Sequence, residues 1–92
     1  MQLFTEGDQL AWHMPDCSEP RPVVVALVVP ACHDVDAAVR KGLGEAAWAS
    51  FKRGKATSRG HQTYVVAVLR GPGKAARYYW PPVLELRRPG GA

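Results

Sequence analysis

Four side chains could in principle hold a soft metal ion: His13, Cys17, Cys32 and His33. Zinc takes such ligands in tetrahedral sets, with each pair spaced so that both side chains reach one ion. The spacing here works against it. His13 and Cys17 stand four apart, as on one helix face, but Pro15 between them breaks a helix. Cys32 and His33 are adjacent, so their side chains diverge. No metal and no other cofactor is expected. The two cysteines read as reduced thiols, because small secreted domains that depend on disulfides usually carry more of them.

Catalytic chemistry finds no better footing. Gly71-Pro72-Gly73-Lys74 lacks the length of a phosphate-binding loop and the Ser or Thr after its lysine. There is no Gly-x-Ser-x-Gly elbow and no dinucleotide fingerprint. The acids are scattered, and helix capping together with the helix dipole accounts for Asp34 and Asp36. The chain is read as not an enzyme.

Binding chemistry remains. Residues 52–88 carry nine basic residues against one acid, Glu85, while residues 1–51 carry three against seven. The net charge of +4 therefore conceals a basic half. Six large rings accompany it: Trp12, Trp48, Tyr64, Tyr78, Tyr79 and Trp80. Cations hold phosphates, and an exposed ring stacks on a base. The expected footprint is Lys52, Arg53, Lys55 and Arg59 in one loop, with Arg77 and an exposed Tyr79 on the strand beyond. A plain solvated basic surface is the alternative. Two functional readings stand. One is a small binding module for nucleic acid. The other is a protein-interaction or accessory protein of a mobile element (plasmid, phage or gene cassette) that acts as a homodimer.

These side chains need a scaffold, and 92 residues, 47% of them apolar, are enough for one domain with a modest core. Residues 9–13 form a short strand after the Gly7-Asp8 turn. Residues 15–22, with three prolines, are a loop. Residues 23–29 are the strongest strand, with Val23, Val25, Leu27 and Val29 on one face and Val24, Ala26 and Val28 on the other. A strand with no polar face is covered on both sides. Its cover is a helical insertion over about 34–52, capped by Asp34. There Val35, Val39, Leu43, Ala47 and Phe51 form an apolar stripe beside Ala38 and Ala46. Gly42 and Gly44 are placed to divide it. Strands over 63–70 and 76–80 make a hairpin around Gly71-Pro72-Gly73, and a closing strand follows at 83–87.

The layout, carried by Glu6-Gly-Asp-Gln-Leu-Ala-Trp12, Pro22-Val-Val-Val-Ala-Leu-Val28, Thr63-Tyr-Val-Val-Ala-Val68 and Arg77-Tyr-Tyr-Trp-Pro-Pro-Val-Leu-Glu-Leu86, resembles a small SH3-like barrel. The resemblance implies a mainly β, α+β domain: a partly open five-stranded barrel with a one-turn helix at Pro81-Pro82-Val83. The layout is also similar to that of type II dihydrofolate reductases at Gly7-Asp8 and Trp80-Pro81. Where that family has Gln-Ile-Tyr before the proline, this chain has Tyr78-Tyr79-Trp80, so its pterin and nicotinamide contacts do not carry over. The N-terminal residues have neither a basic region nor an apolar one, and no stretch is long enough to span a membrane. A cytoplasmic protein without a membrane partner is expected.

Overall fold

The computed structural model describes residues 4–52, 54–68, 72–73 and 75–89. It is a mixed α+β arrangement of β1 (Gln9–Trp12), β2 (Arg21–Val29), α1 (Val35–Leu43), α2 (Glu45–Ala49), β3 (Thr63–Val68), β4 (Arg77–Tyr79) and β5 (Leu86–Arg87). The strands form one antiparallel sheet in the order β4-β3-β2-β1-β5. The sheet is not closed; β4 and β5 are its edges, and both are short. The one-turn helix expected at Pro81-Pro82-Val83 lies at Val83–Glu85, inside the span expected for the closing strand, and leaves two residues for β5. The last two residues of the expected 63–70 strand lie outside the described residues.

Strand β2 departs from simple alternation. Val25 pairs with Val66 and Leu27 with Val65, so Ala26 is an extra residue, a β-bulge. The bulge exchanges the faces of everything after it. Val23 and Val25 point into an inner core with Phe4, Leu10, Trp12, Tyr64, Val66 and Leu86, and Val28 joins them. Leu27 and Val29 point the other way, into an outer core with Val35, Val39, Val65 and Trp80. The expected face of Val23, Val25, Leu27 and Val29 is thus divided between two cores. The bulge lets one strand serve both.

The inner core is bridged across the sheet. The Trp12 and Tyr79 rings lie 5.3 Å apart, although β2 and β3 separate their strands in the ladder. The sheet therefore bends over its inner face. Phe4 meets Tyr64 edge-on at 5.2 Å, and its backbone N–H donates to the Tyr64 hydroxyl. Asp8 closes the preceding turn by accepting the Thr5 backbone N–H at 2.9 Å. That bond lowers the Asp8 pKa from its ordinary value.

The outer core is roofed by α1 and α2. Asp34 caps α1 by accepting the Asp36 N–H at 2.9 Å, as its residue type predicts. The helix runs through Gly42, where an added Cβ would stand 2.8 Å from Leu27 Cδ1. It breaks at Gly44, whose φ of 96° and ψ of 170° belong to glycine almost alone. This break resets the rotation of α2. Ala47 is buried, whereas Ala46, expected beside it on the stripe, is exposed. Gly44→Ala should lower stability by about 1–3 kcal/mol, seen as a lower urea midpoint at constant slope.

The loop after α2 is pinned from below. The Val35 N–H donates to Thr57 O and the Cys32 N–H to Arg59 O, each at 2.7 Å. Cys17 and Cys32 are free and exposed. Native protein should therefore release two thiol equivalents to an aromatic disulfide reagent, with the same unfolding curve with or without reductant. A count of zero would mean that the two are bridged.

Candidate functional site

The edge strand β4 organises the basic side chains. Its residues pair Arg77 with Val68, Tyr78 with Ala67 and Tyr79 with Val66. Cross-strand partners share a face, and Val66 and Val68 face the inner core. Arg77 and Tyr79 therefore lie on that face at its rim, while Tyr78 and Trp80 join the outer core. Lys52 continues the sheet by one residue beyond β4. It pairs parallel to Tyr79, and its N–H donates to Tyr78 O at 3.0 Å. Lys52 and Arg77 are both exposed, and neither meets a carboxylate among the described residues.

The ring between these cations is less open than expected. Tyr79 is half-buried, leaning on Trp12, whose indole N–H donates to Glu85 Oε1 at 2.9 Å. Tyr79 therefore offers a ligand less of its ring than a fully exposed side chain would. Lys55 is exposed and has an interaction of its own. Arg53 lies outside the described residues.

Arg59 has a different place from the one expected. Its guanidinium stacks 4.0 Å over the Trp80 ring and donates to Pro81 O at 3.2 Å and Trp80 O at 3.3 Å. Partial burial lowers its pKa from the ordinary value, against the opposing pull of Glu85. Its donors tie the 54–62 loop to the end of β4 on the outer face, opposite Arg77 and Tyr79. It braces the scaffold.

Beside Lys52 lies a groove of about 430 Å³, lined by Asp36, Trp48, Ala49, Phe51, Lys52 and Gly54. Arg40 stacks 3.6 Å from the Trp48 ring centre and pairs with Glu45 at 3.7 Å, clasping α1 to α2. The sequence carried a signal for this groove. Trp48, Phe51 and Lys52 follow the i, i+3, i+4 spacing of one helix face and run directly into the basic loop. No comparable spacing links Arg59 to Trp80.

Among the described residues, no three of His, Cys, Asp and Glu converge as metal ligands would. No helix there is long and apolar enough to cross a membrane. The chain matches no protein-family model, no curated protein and no solved structure.

Proposed function

We propose that this chain is a small, non-catalytic, cytoplasmic module that binds single-stranded nucleic acid, built as an SH3-like, partly open barrel. The strand order β4-β3-β2-β1-β5, the one-turn helix before β5 and the ring contact across the sheet support the architecture. The observation that carries the function is a pair of cations without a carboxylate partner among the described residues at the β4 edge: Lys52, which pairs with Tyr79 across that edge, and Arg77, two residues before Tyr79 on the same strand face. Phosphates span such a pair while the tyrosine meets a sugar or base. Trp80 is buried and Tyr78 packs into the outer core, which supports reading these two rings as structural.

The test is fluorescence anisotropy with a labelled oligothymidylate and with a duplex of equal length, each at two salt concentrations. The expected result is tighter binding of the single strand, weakening steeply with salt. No binding at low salt rejects the proposal.

A second reading, a homodimeric accessory protein of a mobile element, draws on one feature. On the outer face beyond the helix-covered core, Ala11 and Val24 are half-buried and Pro22 is exposed. A groove of about 260 Å³ runs there between Gln9, Val24 and Pro89. From Val25 onward β2 is buried or half-buried against its own chain, so its first residues are the part most open to a partner. A solution mass of one chain at micromolar concentration would remove this reading.

A further inference from the structure

The three tryptophans differ in one respect that bears on ligand binding. The Trp12 indole N–H donates to Glu85 Oε1 at 2.9 Å, and that of Trp80 donates to Thr63 Oγ1 at 2.7 Å. The Trp48 indole N–H has no partner among the described residues, and no buried side-chain donor there lacks one, so this N–H is open to solvent. Trp48 lines the groove next to Lys52, with Phe51 beside it. Arg40 covers one face of the ring at 3.6 Å and fixes its orientation. A ring held in place by its own fold loses little entropy when a ligand docks against its edge.

We propose that this groove is the base-binding pocket of the interface: one unpaired nucleotide seats its base in the groove against the open N–H edge of Trp48 and against Phe51, accepts the Trp48 indole N–H, and sets its phosphate on Lys52. This rests on the nucleic-acid reading and deepens it. The ring that anchors the base is then Trp48, through its N–H edge, and Tyr79 is a secondary contact. Charge argues for a nucleotide over a neutral ring, because Lys52 has no carboxylate partner among the described residues and the segment beyond it is basic. The acid on the same rim, Asp36, is itself engaged.

The three indole N–H groups make the test internal to the wild-type protein. Each gives one resonance in a proton–nitrogen spectrum, and Trp48→Phe assigns the one that matters. On titration with oligothymidylate at low salt, the Trp48 signal should move in proportion to the bound fraction measured by anisotropy. The Trp12 and Trp80 signals, held by internal hydrogen bonds, should stay near their starting positions. Trp48→Phe, which keeps a ring and the packing, should bind several-fold more weakly; Trp48→Ala, if folded, about tenfold or more. Binding with a stationary Trp48 signal overturns this inference and leaves the nucleic-acid reading standing. Absence of binding by anisotropy overturns both.

Discussion

Trp80→Ala should be the most damaging single substitution outside the inner core, lowering stability by about 3–5 kcal/mol. Trp80 is 3% exposed and is the one large ring buried among Val29, Val35, Val39 and Val65. Its loss does three things together. A cavity opens between the sheet and the helices that roof it. The Thr63 hydroxyl, 1% exposed, loses the indole N–H that donates to it at 2.7 Å. The Arg59 guanidinium loses the ring beneath it and with it the brace on the 54–62 loop. Small domains are stable by about 5–15 kcal/mol in total, so the variant should be substantially unfolded under mild heating. Trp80→Phe keeps a ring under Arg59 but not the donor, and should lie between the two. Urea unfolding measures all three proteins. A loss below about 1 kcal/mol for Trp80→Ala would mean that the helical layer does not depend on this ring.

Much of this fold could be read from residue types that act locally. Pro30 ends β2, Asp34 caps α1 and Pro81-Pro82 ends β4, and each does so through its own backbone or side chain. The doubly apolar β2 predicted cover on both sides, and two cores provide it. The bulge at Ala26 was not legible. Its cause is the register between β2 and β3, a pairing between segments far apart in sequence, and nothing in a run of valines marks where an extra residue enters. The break at Gly44 was half-legible. Two glycines stood in the helical pattern, but Gly42 serves the packing, leaving room for Leu27 within the helix, while backbone torsion ends the helix at Gly44.

The site divides the same way. Arg77 shares a face with Tyr79 and Tyr78 with Trp80, a division that follows from sequence parity along a strand alone. Parity could not foresee that Trp12 of β1 would lean on Tyr79, since that approach depends on how far the sheet bends. Nor could a count of charges separate Arg59 from Lys52. One is drawn onto an indole and two carbonyls and the other is left at the sheet edge. The basic loop was visible as composition; its division into brace and rim is a property of the fold.

That division yields the second large effect. Lys52→Ala with Arg77→Ala should flatten the plot of log affinity against log salt by about 1.4 units, near 0.7 for each phosphate that a single strand no longer sets on a cation. One such cation contributes about eightfold at ~0.05 M salt relative to ~1 M, so the double variant should bind roughly sixtyfold more weakly at low salt. Both residues are exposed and neither anchors a core side chain, so the unfolding curve should barely move. Lys41→Ala supplies the control, because Lys41 is an exposed cation in the last turn of α1. Its removal lowers the net charge as each of the other two does, but touches no part of the β4 edge. If all three cations act only through the overall field, Lys41→Ala will flatten the slope as much as Lys52→Ala does. If Lys52 and Arg77 hold phosphates directly, the slope follows those two residues and ignores the third. An unchanged slope in the double variant would remove the β4 edge from the binding surface.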